Sequence, residues 1–485
     1  MPIPLRVPRI HVPPEDPFRN DLLDRKKSAE SFTSIVASLE GPAVVAIDAV
    51  WGMGKTTFLE MWTQHLRNEG LTVVDFNAWE TDFAAHPFLA LAAELDVGLK
   101  RSLGESAEPQ LIDKLASNAK KLLKPALLAA VSQAVPGVGI AADVVKTLLD
   151  DATESNFSEY VSQKKAVTDF RSALHEIAQE VTKTSKDRPL VVVIDELDRC
   201  RPTYAIALLE AAKHVFSVRH VVFVLAINRE QLAHSIRSQY GSGFDAEIYL
   251  RRFIDVSVRL PDPRRDRLLE TTLDAIGIKK FVSKAKDKSA RQEFSDARQV
   301  LLEALALPTL DVRSVLHSLH TLGFILESIR ADQRALLYAT AVTTILRVYD
   351  ERVYRRLVDG YAQDEEVIDA VRKHYGREKW NKARWTVFFE AMVMSLIQGQ
   401  TVRRGEPIDA RTPQYSAYMQ LVEKEEEAEE EDKQNLRERD VIQTHRWFMG
   451  ISGKSMPWFE EFRFASERMD LFSDSFIRDA KPKQQ

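Results

Sequence analysis

A chain of 485 residues is too long for one ordinary domain and predicts two or three. Hydrophobic residues at 45% and charged residues at 29% give the balance of a globular protein with a sizeable core, and a formal net charge of -5 speaks against a chain whose main task is to coat nucleic acid. The single cysteine, Cys200, excludes an intrachain disulfide framework and predicts a reducing, cytoplasmic setting.

Residues 1–20 are rich in proline and are read as an extended N-terminal segment. They lack an apolar h-region and a small-residue cleavage site, so no signal peptide is expected. From Asp21 to Leu39 the apolar positions Leu22, Leu23, Phe32, Ile35, Val36 and Leu39 partly fit a helical period. Gly41-Pro42 marks a turn, and AVVAID (43–48) then reads as a short buried strand that runs into a glycine-containing loop and a helix over 55–67. LTVVDFNAW (71–79) predicts a second strand, and residues 86–124 a lysine-rich helical stretch. LVVVID (190–195), HVVFVLAIN (220–228) and FIDVSVRL (253–260) are apolar, β-branched runs expected of strands buried on both faces. Buried strands separated by helical stretches predict an α/β fold with a parallel sheet flanked by helices.

After Pro263 strand signals become scarce and the chain reads mainly as helices. The charge-dense run 423–440 is expected to be a solvated helix or linker. PALLAAVSQAVPGVGIAADVV (125–145) carries no charge from Ala126 to Ala142, slightly short of the ~20 apolar residues that span a bilayer. Its Pro136-Gly137 predicts a buried helical hairpin, with a membrane-interacting hairpin as the alternative.

The loop reads Ala49-Val50-Trp51-Gly52-Met53-Gly54-Lys55-Thr56-Thr57. Gly52 and Gly54 let successive backbone N–H groups turn inward where a side chain would block a phosphate. A helix that starts at Lys55 points its unpaired N–H groups and positive dipole end at the β-phosphate. Lys55 can neutralise the β- and γ-phosphates, the Thr56 hydroxyl can bind Mg²⁺, and Thr57 lies near the α-phosphate. Position 49 holds alanine where the general pattern has glycine, a small departure from a loop otherwise intact. ATP with Mg²⁺ is the expected ligand pair.

VVVIDELDRCRP (191–202) delivers Asp195 to the carboxyl end of a strand, where α/β sheets bind ligands, and so places it to hold Mg²⁺. Glu196 is the natural base for an attacking water. Asp198 is a second acid that can serve the metal shell or the base role, or simply pair with Arg199 or Arg201. Asn228 ends the strand 220–227; it is either a sensor of the γ-phosphate and the water or a turn former. Arg251 and Arg252 precede the last strand and are read either as fingers reaching a neighbouring subunit or as salt-bridge partners. Arg313, near a helix start, is a candidate second arginine sensor. VRKHYGREKWNKARW (371–385) interleaves cations with Tyr375, Trp380 and Trp385 and is either a nucleic-acid contact or an amphipathic helix with a basic face.

With these residues in view the chain resembles the KAP family of P-loop NTPases, relatives of the AAA+ and STAND ATPases. The resemblance rests on Val50-Trp51-Gly52-Met53-Gly54-Lys55-Thr56-Thr57, Phe76-Asn77-Ala78-Trp79-Glu80, Ile194-Asp195-Glu196-Leu197-Asp198-Arg199-Cys200 and Tyr249-Leu250-Arg251-Arg252-Phe253. It covers about residues 20–325 and implies a P-loop NTPase, and the first functional hypothesis is a Mg²⁺-dependent ATPase acting as an ATP-driven switch that assembles as a homo-oligomer or with other proteins. It implies further that residues 83–186 are the family's insertion, which often carries transmembrane helices, and that bacterial members include phage-exclusion factors. A nucleic-acid-dependent ATPase and a membrane-associated scaffold are the alternatives. The expected organisation is an extension (1–20), a P-loop NTPase domain (21–262, insertion about 83–186), a helical lid (263–345) and a C-terminal helical region (346–485). Trp79 is read as core packing, with a nucleotide contact as the alternative.

Overall fold

All five apolar runs form strands, and all five are parallel: β1 Ala43–Asp48, β2 Val73–Asn77, β3 Leu190–Asp195, β4 Val221–Ile227 and β5 Val256–Arg259. The computed structural model describes residues 10–84, 87–103, 115, 117, 154–278, 288–328, 335–407, 411–426 and 437–451. The chain divides into two compact units, one running to Asp262 and the other from Pro263 on.

In the first unit the strand order is β2-β3-β4-β1-β5. Alternate residues point to opposite faces, so each strand feeds two apolar layers. Val45, Ile47, Val191, Val193, Val222 and Val224 pack against helices α1 (Lys26–Ala37) and α2 (Lys55–Asn68). Val44, Ala46, Val192, Ile194, Phe223 and Leu225 pack on the other face. That face is covered by α3 (Pro87–Leu103), α4 (Glu154–Thr184), α5 (Pro202–Phe216), α6 (Arg229–Tyr240) and α7 (Ala246–Leu250). The result is a three-layer α/β sandwich with β3, β4 and β1 central. β5 departs from expectation. Among the described residues it pairs only with β1, and its residues are largely exposed, because it closes one edge of the sheet rather than lying inside it. β2 also stops earlier than its apolar run suggests, at Asn77, where a 3₁₀ turn Trp79–Thr81 begins.

Register brings the carboxyl ends of the strands into one row. Asn77 stands opposite Asp195, Asp195 opposite Ala226, and Asp48 opposite Ile227.

The second unit is helical among its described residues, with α8 Asp266–Ala275, α9 Lys288–Leu305, α10 Val312–Ser328, α11 Ala335–Tyr349, α12 Glu351–Val358, α13 Asp364–Arg372, α14 Arg377–Lys382, α15 Arg384–Arg403, α16 Pro413–Glu426 and α17 Arg437–Ile451. One apolar core runs from Leu269 in α8 to Ile442 in α17, so the described parts of 263–345 and 346–485 share a single interior. Within it Glu390 is fully buried, and its carboxylate accepts from both Arg437 Nη atoms at 2.9 and 3.0 Å, from the Tyr418 hydroxyl at 3.0 Å, and from the Trp380 indole. A buried carboxylate is tolerable only when so paired. Among the described residues no helix is long and apolar enough to cross a membrane. The hairpin expected at 125–145 and most of the charged run 423–440 lie outside the described residues.

Candidate nucleotide site

Two hydrogen bonds fix the start of the loop that follows β1. The Ala49 N–H donates to the Ile227 carbonyl at 3.0 Å, and the Asp48 carboxylate accepts from the Arg229 N–H at 3.0 Å. Gly52 (φ 80) and Gly54 (φ 78) both adopt the left-handed conformation that costs a side-chain-bearing residue most. A Cβ on Gly54 would lie 2.9 Å from Leu23 Cδ1. Gly54 is also the N-cap of α2 and has no side chain with which to cap it, so the first N–H groups of that helix remain for a ligand.

A segment before α1 braces the loop from outside. Arg25 is buried; it donates to the Met53 carbonyl at 3.0 Å and to the Pro261 carbonyl. The Asp21 carboxylate holds that segment by accepting from the N–H groups of Leu23, Arg25 and Lys26.

The acids of β3 meet the loop. Asp195 is buried, which pushes its carboxyl up to about 6, against the opposing influence of Lys55 and of bonds from the Glu196 N–H and the Thr56 hydroxyl. A buried carboxyl beside a hydroxyl, with desolvation as its dominant cost, is a donor set that a hard divalent cation fits. Glu196 takes the left-handed conformation (φ 60) directly after the strand. Its Oε1 lies 2.7 Å from Arg199 Nη1 and 3.4 Å from the donating Thr56 Oγ1; its Oε2 accepts from Asn77 Nδ2 at 3.3 Å. Asp198 faces the loop instead. One of its oxygens pairs with Lys55 Nζ at 3.3 Å and the other accepts from the Trp51 indole N–H. The alternative pairing of Asp198 with Arg199 or Arg201 is not found, because Arg199 binds Glu196 and Arg201 binds Asp82 at 2.6 Å.

The KAP family P-loop domain pattern matches residues 25–329, more than half of the chain. The chain belongs to the KAP family. The phage T7 exclusion protein of Escherichia coli (strain K12) is 23% identical over 246 residues, 48% of this chain and 32% of that protein, so the chain spans about a third of that relative's length. Among solved structures, the Aeropyrum pernix ORC2 protein (ADPNP-ADP complexes) aligns over 91% of this chain and 97% of its own at 13% identity. Its TM-score of 0.28 is too low to carry an argument.

Further residues of this KAP domain fall as follows. Thr57 is on α2, one residue past Thr56. Asn228 is buried and caps α6; its carbonyl oxygen accepts from the Gln231 N–H at 3.2 Å, while its amide nitrogen has no partner among the described residues. Arg251 and Arg252 follow α7 with exposed side chains that form no ion pair among the described residues. Arg313 is in the second unit, exposed in the first turn of α10.

One expectation needs correction, and one alternative loses its support. Trp79 is not core: it is 52% exposed, with the Arg199 guanidinium 5.8 Å above its ring, because β2 ends before it and the 3₁₀ turn carries it outward. In 371–385, Trp380 and Trp385 are buried and pack edge to face with Tyr375, so they present no faces for bases. Several of the cations there are already paired: Arg372 with Asp369, Lys373 with Asp350 and Lys382 with Glu378. The segment forms part of the second unit's core.

Sequence reasoning missed Asn77, Arg199 and Arg25. The signal for Asn77 was available: a polar residue ends a buried parallel strand beside the one that ends in Asp195. Arg25 had no comparable signal, since a buried arginine whose guanidinium bonds two carbonyls looks like any charged residue in the sequence.

Proposed function

We propose that the chain is a Mg²⁺-dependent ATPase that works as an ATP-driven switch or assembly module in phage exclusion. The observation that carries this reading is the convergence of Lys55, Thr56, Asp195 and Glu196 at the carboxyl edge of the sheet, beside an uncapped helix start. In this reading Lys55 and the α2 N–H groups bind the β- and γ-phosphates, and Thr56 and Asp195 would hold the metal. Mg²⁺, when bound, supplies positive charge against the charge that develops on the transferring phosphoryl group. Glu196 orients the water and accepts its proton as the water oxygen bonds to the γ-phosphorus, and ADP leaves with the β–γ bridging oxygen. The Asn228 amide nitrogen is free to donate to the γ-phosphate or the water, and the exposed Arg251 and Arg252 are free to serve a neighbouring subunit. The phage-exclusion role is supported by KAP membership together with the relative named for exclusion of phage T7.

The test is phosphate release from ATP by the purified chain, with and without chelation of Mg²⁺, alongside phage plating on cells that express it. Glu196→Gln is expected to keep nucleotide affinity, lower turnover by roughly 10²–10⁴-fold, and lose protection. Normal turnover in this variant would remove Glu196 from the base role.

A further inference from the structure

Both carboxylate oxygens of Glu196 are held by groups anchored on the exposed turn at Trp79. Oε1 is bonded to Arg199, whose guanidinium lies 5.8 Å from the centroid of the Trp79 ring. Oε2 accepts from Asn77 Nδ2, while Asn77 Oδ1 accepts from the N–H groups of Trp79 (3.0 Å) and Glu80 (3.4 Å). Trp79 thus connects to the buried Glu196 by two separate routes, one through a side-chain ring and one through a backbone turn. Of the bonds to the carboxylate, the 2.7 Å contact with Arg199 is the one between opposite charges and the strongest by kind.

We propose that Arg199, seated over Trp79, is a positioning residue that restrains Glu196 and thereby limits turnover. This rests on Glu196 being the base of the proposed ATPase. A base must accept the water's proton on an oxygen lone pair that is free and correctly aimed. The Arg199 bond occupies the same oxygen that faces Thr56. Arg199 is itself only partly enclosed, and its hold depends on a ring open to solvent. The restraint therefore reaches the protein surface at Trp79, where a change at an exposed side chain acts on a buried one.

The test compares the steady-state ATPase of the full chain with Arg199→Gln, Trp79→Ala and the double variant, measuring kcat and nucleotide affinity separately. Arg199→Gln is expected to raise kcat roughly 10-fold, equivalent to about 1.4 kcal/mol of barrier, with affinity unchanged. Trp79→Ala, at an exposed position outside the apolar core, is expected to raise kcat about 2- to 5-fold, the worth of a partly exposed cation–π contact. The double variant should match Arg199→Gln alone, because the ring acts only through the guanidinium. A fall in kcat, or no change, in Trp79→Ala and Arg199→Gln overturns the restraint and makes Arg199 a supporting or neutral group. If Arg199→Gln does not fold, Trp79→Ala decides by the same sign. If neither the natural chain nor any variant hydrolyses ATP, the ATPase assignment falls and the restraint with it.

Discussion

Lys55 Nζ lies 3.3 Å from Asp198 Oδ1, and both side chains are almost closed to solvent, at 7% and 1% exposure. The other Asp198 oxygen is taken by the Trp51 indole, so two donors of the glycine loop converge on one carboxylate. Glu196, two residues earlier, is engaged by a different set: Thr56, Asn77 and Arg199. The 3₁₀ turn Leu197–Arg199 separates the two acids in this way, and it makes Asp198 the counter-ion of the loop lysine.

Asp198→Asn should therefore leave a buried lysine without its partner. Removing one member of a buried pair typically costs about 3–5 kcal/mol, so the unliganded protein should melt earlier. Phosphates can replace the lost charge, so the stabilisation on adding ATP should exceed that of the natural chain. Thermal melts with and without nucleotide check this. An equal or smaller ATP shift in the variant would show that Asp198 does not compensate Lys55.

The second unit provides a pH test independent of nucleotide. Asp364 is fully buried; one oxygen accepts from the N–H groups of Glu365 and Gln414, the other from that of Tyr415. Burial nonetheless outweighs those bonds and pushes its carboxyl from an ordinary 3.8 to about 6. Between these values the folded form holds a proton that the unfolded chain has released, so stability rises as pH falls through about 6 and levels off near 4. The gain is on the order of 2–3 kcal/mol. Urea unfolding followed through the buried Trp380 and Trp385 at pH 7, 5.5 and 4, for the natural chain and Asp364→Asn, isolates the effect by difference. The same pH dependence in both would contradict it.

Much of the first unit could be read from the sequence because its cues are local. An apolar run such as LVVVID buries on both faces where it lies inside a parallel sheet, and the Gly52–Thr57 spacing fixes its own turn and helix start. The errors arose where a residue's surroundings are set by distant parts of the chain. FIDVSVRL is apolar enough for a central strand, yet the strand order leaves Val256 at an edge, 40% exposed. Trp79 and Trp380 are the same residue type in similarly mixed sequence. One is turned outward by a 3₁₀ turn, and the other is drawn inward by Glu390, ten residues away on the next helix. Which acid the loop lysine would choose, Asp195, Glu196 or Asp198, was equally beyond a linear reading, because the left-handed Glu196 decides it.

Arg251 and Arg252 test the assembly part of the account. Their side chains are exposed and form no ion pair among the described residues. An arginine supplied across an interface can accelerate phosphoryl transfer by ~10³-fold or more. Arg251→Ala or Arg252→Ala should lose ATPase activity and retain ATP binding. Mixing either with Lys55→Ala, which keeps its arginines, should restore part of the activity, increasingly so at higher protein concentration. Activity that is independent of concentration, with no rescue on mixing, would make both residues structural or cis-acting.

The most direct measurement is the titration of a fluorescent ATP analogue, with Mg²⁺, into the natural chain and into Lys55→Ala. Lys55 is buried at the start of α2 and supplies the one loop cation that the β- and γ-phosphates require in this account. The natural chain is predicted to bind saturably, and Lys55→Ala, still folded by circular dichroism, to show no binding at concentrations that saturate the natural chain. Equal affinity in the two proteins would contradict the assignment of residues 49–57 as the nucleotide site.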